Sequence, residues 1–301
     1  RSQCQNNVKQ LCLALHNFHD TNGKFPPAVG AQIPNNNYAA LQPERIGAPG
    51  QGHLRNWLVH ILPYIEEQAL FDSFIFKDAN GEDVLISDPL NRPWRGVQLK
   101  AFICPSDPNT DTPFKGRTTQ EGDNWARGNY GANGALGWLA RESEPESAGT
   151  PNAPLWAAGV KSNGGQLLGR QTRGVMGVNT ALKLAQISDG TSSTLLIGEL
   201  RAGLSDEDPR GTWALNGAGS SSLWRHGTDN DNGPNSCLAG GDGIYNCARI
   251  AGSLGCPSFA DCDILIDECM PCDPVFAQGT LRSTHPGGTF GGFADCLVHL
   301  I

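Results

Sequence analysis

Ten cysteines in 301 residues, unevenly placed, constrain this chain more than any other feature. Cys237, Cys247, Cys256, Cys262, Cys269, Cys272 and Cys296 fall within the last 65 residues, and only Cys4, Cys12 and Cys104 precede them. An even number at this density reads as a disulfide framework, which persists where the surroundings are oxidising. All ten are therefore disulfide candidates, and the expected location is extracellular or at the cell surface. The run Cys256-x5-Cys262-x6-Cys269-x2-Cys272 contains one thiolate pair at a spacing that zinc uses. A structural zinc site usually takes two such pairs, which favours cross-links here. No CxxCH is present, which excludes covalent haem of the c type on motif grounds. Spacing leaves the disulfide connectivity open.

The same section carries the charge. The chain is at -8 overall, and residues 201–301 hold -7 of it, with no lysine. An acidic chain is a poor polyanion binder, so nucleic acid is not an expected partner. Oxygen-ligand cations suit it better. Asp229-Asn230-Asp231-Asn232-Gly233-Pro234-Asn235 alternates oxygen side chains around a glycine, making Asp229, Asp231 and Asn235 candidate Ca2+ ligands. The stretch lacks the glycine and glutamate register of an EF-hand, and a solvated turn is the competing reading. Asp78, Asn80 and Asp83 form a weaker copy, and Asp206-Glu207-Asp208 reads as a solvated charged tip.

The 38 glycines and 20 prolines imply many turns and long loops rather than a helical bundle. No run of 18 apolar residues occurs, so nothing in this sequence reads as a membrane span. Val8, Leu11, Leu15 and Phe18 recur at spacings of 3, 4 and 3, which predicts an amphipathic helix stopping at Asp20–Gly23. The sequence begins abruptly inside this pattern and without an export signal, which suggests a trimmed N-terminus. Asn56–Leu62 reads as a short buried segment, followed by a helix from about Ile65 to Phe76 with Ile65, Ala69, Leu70 and Phe74 facing inward. Leu99–Ile103 and Ser193–Gly198 read as strands. Gly279–Ser283 and Gly292–Ile301 read as a closing hairpin.

Several segments, taken in order, are more specific together than alone. They are Cys4-Gln5-Asn6-Asn7-Val8-Lys9-Gln10 with Leu13–Asp20 and Gly23–Pro27; Trp57–Glu66; Phe102-Ile103-Cys104-Pro105-Ser106-Asp107-Pro108; and Asn129–Gly134. Ile187–Glu199 and Ser283-Thr284-His285-Pro286-Gly287-Gly288 ahead of Phe293-Ala294-Asp295 complete the series. The chain resembles, over nearly its whole length, the large prepilin-like family of planctomycetes and their relatives, whose activity is unknown. The resemblance implies a type IV pilin-like leader and an apolar helix upstream of Arg1, processed by a prepilin peptidase. Residues 1–24 would then be the end of a pilin-like helix and its exit, and 25–301 a single β-rich head with a Cys-rich acidic section at about 201–301. The family ends in His, nine residues, then Asp-Gly. His285 and Asp295 keep that spacing, while Cys296 replaces the glycine, which puts a tight turn there in question and offers a further disulfide.

An enzyme reading would draw on Ser188, Asp189, His285 and Asp295, yet the nucleophile elbow Gly-x-Ser-x-Gly is missing. His16, His19 and His60 read as half-buried structural residues, and the turn of His285-Pro286-Gly287-Gly288 as a lead into the last strand. Trp125, Trp138, Trp156, Trp213 and Trp224 sit in loop-rich contexts and would make a carbohydrate platform if exposed. The expectation is an α+β protein, its pilin-like N-terminal helix packed on a mainly antiparallel sheet with long loops and a disulfide-rich C-terminal region. The expected function is a non-enzymatic structural subunit of a pilus-like or pseudopilus-like assembly, partnered by copies of itself or related subunits and reaching the membrane only through the upstream helix. A secreted glycan-binding adhesion module is the alternative, and a hydrolase the third.

Overall fold

A computed structural model describes residues 1–32, 52–136, 160–161, 167–168, 174–225, 233–237, 242–244, 247–272 and 279–301. Helix α1 (Ser2–Asn22) follows the apolar spacing, with Cys4, Asn7, Val8, Leu11, Cys12, Ala14 and Leu15 buried along one face. It ends at Gly23, whose φ of 74° places it in the left-handed region, and the Gly23 N–H closes the last turn on the His19 carbonyl. Two-residue strands β1 (Gly30–Ala31) and β2 (His53–Leu54) pair antiparallel. Helix α2 (Trp57–Ile61) is capped by the Asn56 side chain and runs into a 3-10 turn at Leu62–Ile65. Short helices α3 (Gln68–Ser73) and α4 (Arg92–Arg95) follow.

The core sheet is built from β3 (Tyr130–Leu136), β6 (Leu195–Glu199), β7 (Ser222–Arg225), β8 (Phe290–Phe293) and β9 (Val298–Leu300), in the order β7-β3-β6-β8-β9. Only the β3–β7 pairing is parallel, so the sheet is mixed but mainly antiparallel. A separate two-stranded ribbon joins β4 (Val160–Lys161) to β5 (Leu167–Leu168). Helix α1 lies across β6, β8 and β9. Gly292 on β8 makes this approach possible, because a Cβ there would run into the Cys12 sulfur and Val8. Asn7, buried in the same face, donates from Nδ2 to the Ile103 carbonyl at 2.8 Å and so ties the helix to the chain before Cys104.

Some expected elements take other forms. Leu99–Ile103 is a 3-10 turn at Lys100–Phe102 rather than a strand; an apolar run this short has no periodicity to separate the two. The helix expected over Ile65–Phe76 is only α3, and Ala69 is exposed while Leu70 and Phe74 are buried. The closing hairpin is β8 with β9. Gly279 instead bridges Trp224 beside β7.

Four disulfides are formed: Cys4–Cys104, Cys237–Cys269, Cys247–Cys272 and Cys256–Cys262. Three of them hold the C-terminal section around helices α5 (Cys247–Ser253) and α6 (Asp263–Asp267), which enclose a small apolar cluster of Ile250, Ala251, Leu265 and Met270. Arg210 fastens this section to the rest of the protein. Its guanidinium meets Asp208 at 2.7 Å and Asp242 at 3.1 Å, and it donates to the Met270 and Pro271 carbonyls. Arg282 shares Asp242 at 2.7 Å. Asp206-Glu207-Asp208 is therefore not a solvated tip. Asp208 is fully buried against Arg210, and Glu207 is paired with Lys115 and Arg249.

Candidate functional site: a buried cysteine, histidine and glutamate cluster

Four of the segments that carry the family resemblance converge beneath the start of α1. Cys4 projects from the first turn of the helix, Cys104 follows the 3-10 turn, Glu199 ends β6, and His285 stands in the turn before β8. Their sulfur, nitrogen and oxygen atoms all lie within 4.8 Å of one another, and all four residues are buried. Each is held from outside the group. The Cys104 N–H donates to Asn129 Oδ1 at 2.8 Å, and Asn129 Nδ2 donates to Asp107 Oδ2 at 2.6 Å. Asp107 also accepts the Ala202 N–H at 2.7 Å, so the Cys-Pro-Ser-Asp turn is fixed to the end of β6. Glu199 Oε2 accepts the Phe290 N–H at 2.7 Å, and the Thr284 hydroxyl donates to the Ser106 carbonyl at 2.7 Å.

His285 Nε2 lies 3.2 Å from Glu199 Oε1 and 3.5 Å from Cys104 Sγ. Burial pushes the Glu199 carboxyl up to about 7, against the opposing Phe290 N–H. Burial also lowers His285, helped by the charge of Arg1. The hydrogen bond between the two needs one proton, which either partner can carry. Two sulfurs, an imidazole nitrogen and a carboxylate oxygen are donors that zinc accepts. Here the sulfurs are joined to each other, however, and a metal would need both as thiolates. In the bridged form the cluster is a cross-link between the helix and the Cys104 turn, packed against a Glu–His pair that anchors the sheet.

The other anticipated residues are placed as follows. Asp229 and Asp231 lie outside the described residues. Asn235 is described, and its Oδ1 is already taken by the Ser283 N–H at 2.7 Å. Asp78 Oδ1 accepts the Asn80 and Glu82 N–H groups, a turn closed on itself, while Asp83 pairs with Lys77 at 2.9 Å. Ser188 donates to Asp189 in an exposed turn, and Asp295 Oδ1 accepts the Leu297 N–H in the β8–β9 turn. His285 meets Glu199 and Cys104 instead of these groups. Trp125, Trp213 and Trp224 are buried to 1% exposure or less, so they form core rather than a carbohydrate platform; Trp138 and Trp156 lie outside the described residues. His16, His19 and His60 are half-buried.

Two cysteines depart from the disulfide expectation. Cys12 and Cys296 are buried and unbridged. Cys296 has φ 61°, so the tight turn survives the loss of glycine. Cys269 and Cys272, the CxxC pair, bond to Cys237 and Cys247 rather than sharing a metal. Glu199 was given no role by sequence reading, although a carboxylate directly after the apolar run Leu195–Gly198 is the signal that could have found it.

These features define an α+β protein with one amphipathic helix laid on a mainly antiparallel sheet and locked there by a buried disulfide beside a Glu–His pair. Residues 1–301 match the family described as protein of unknown function (DUF1559), and the chain belongs to that family. No curated protein and no solved structure matches it significantly.

Proposed function

We propose that the protein is a non-enzymatic structural subunit of an extracellular pilus-like or pseudopilus-like assembly, with copies of itself or related subunits as partners. The observation that supports this reading is the relation of α1 to the sheet. One face of the helix is buried on β6, β8 and β9 and covalently held through Cys4, while Gln3, Asn6, Gln10, Leu13 and Asn17 of the other face are exposed. Pilins and pseudopilins use this division of labour, in which a helix supports association and a β-rich head supplies the surface. Among the described residues no helix is long and apolar enough to cross a membrane, and the proposal assigns membrane contact to an apolar prepilin-type helix ahead of α1. Four disulfides agree with an oxidising location. Light scattering of the full-length processed protein over a concentration series tests the reading. Growth into large assemblies supports it, and a monodisperse monomer at every concentration overturns it.

A further inference from the structure

We propose that Cys12 and Cys296 are the site of a fifth disulfide, formed after folding by a disulfide-donating oxidant, which closes helix α1 onto the β8–β9 turn.

The geometry is prepared for this bond. Cys12 lies on the sheet-facing side of α1, fully buried, with its sulfur directly over Gly292 of β8. Cys296 lies in the turn that follows β8, and its left-handed backbone belongs to that turn. Cys12 and Cys296 thus face the same helix–sheet seam, one from α1 and one from the turn after β8. Both partners are also held in register by contacts that do not involve sulfur. Lys9 Nζ donates to the Cys296 carbonyl at 2.7 Å, and His16 Nε2 lies 2.9 Å from the Ala294 carbonyl. Lys9, Cys12 and His16 are successive residues of one helical side, so a single face of α1 grips the whole turn.

The surroundings also favour the reaction. Hydrogen bonds from Cys12 and then His16 draw the Cys296 thiol down to about 5, despite its burial, with Lys9 nearby. Cys296 is therefore the nucleophile, and Cys12, pushed up by the same pairing, is the resolving thiol. The Cys296 thiolate attacks one sulfur of a small disulfide such as oxidised glutathione, and that sulfur's partner leaves as a thiolate. Cys12 then loses its proton and attacks Cys296 Sγ, displacing the second thiolate. The two cysteines give up two electrons and two protons, and one oxidant disulfide becomes two thiols.

Trypsin isolates each cysteine alone, Cys12 in peptide 10–24 and Cys296 in peptide 283–301. The folded full chain is incubated with oxidised glutathione, its remaining thiols are alkylated in denaturant, and it is digested without reductant. The expected product is peptide 10–24 linked to peptide 283–301, accompanied by a rise in melting temperature of roughly 5–10 °C. The Cys12→Ala/Cys296→Ala double variant should show neither. Recovery of the two peptides singly, whether alkylated or as glutathione adducts, overturns the proposal, as does linkage of either to a different cysteine peptide. Because peptide mapping of the unaltered chain decides the matter, a variant that fails to fold does not rescue it.

Discussion

Removing Cys4–Cys104 by the double change Cys4→Ala/Cys104→Ala should cost more stability than removing any one disulfide of the C-terminal section. The bridge spans 100 residues, and every other disulfide begins at or beyond Cys237, so nothing subdivides its loop. In the chain-entropy treatment a loop of that length contributes about 4.7 kcal/mol. With an unfolding entropy of about 2 cal/mol/K per residue, the melting temperature should fall by about 8 °C. Cys256–Cys262 spans only 6 residues and by the same treatment is worth about 2 kcal/mol, or some 3–4 °C. Calorimetry of the two double-alanine variants alongside the parent protein gives both shifts, and urea titration gives the m-values. The m-value should rise for the 4/104 variant, because its unfolded state expands furthest. If the 4/104 variant lost no more stability than the 256/262 variant, loop closure would not be what this disulfide contributes.

Other consequences follow from the buried polar groups. Glu199 moves from 4.5 in the unfolded chain to about 7 when folded, so between those values the unfolded state releases its proton first. The Glu199 contribution to stability therefore falls by about 3 kcal/mol as pH rises from about 4.5 to 7 and is level above that; urea midpoints should show this slope in the parent protein and its loss in Glu199→Gln. Asp242→Ala leaves Arg210 and Arg282 buried without their shared carboxylate, at a cost of about 3–5 kcal/mol. Limited proteolysis should then cut first within 233–272, whereas an unchanged digestion pattern would refute the anchoring role. Trp213→Ala should cost about 3–5 kcal/mol, since the ring is fully buried against Phe74 and Phe102; a stability loss below 1 kcal/mol would place that residue outside the core.

The helix was legible in the sequence because its signals are local. Spacings of 3, 4 and 3 define the buried face of α1, and Gly23 supplies the left-handed cap. The disulfide reading of the C-terminal section also needed only composition and spacing. Connectivity did not follow, because Cys269 and Cys272 lie three residues apart yet bond to different partners. Around Leu99–Ile103 the sequence alone does not separate a strand from the 3-10 turn that forms, because the two look alike over five apolar-rich residues. The cluster itself is non-local, joining residues 4, 104, 199 and 285. Its segments were visible as motifs, but only the sheet order brings the end of β6 beside the turn before β8. Charge was equally ambiguous, since Asp208 in an acidic run looks solvated until Arg210 and Arg282 are seen to meet in the interior.

In the proposed assembly α1 supports association while the sheet forms the outward surface. Electron microscopy with helical reconstruction of the full-length processed protein tests this most directly. The expected images are filaments with a regular helical repeat, α1 packed against its counterparts near the axis, and the β7-β3-β6-β8-β9 sheet on the outer side of the helix. Single particles of monomer size without any repeat, or filaments held together through the sheet with α1 facing solvent, would contradict it.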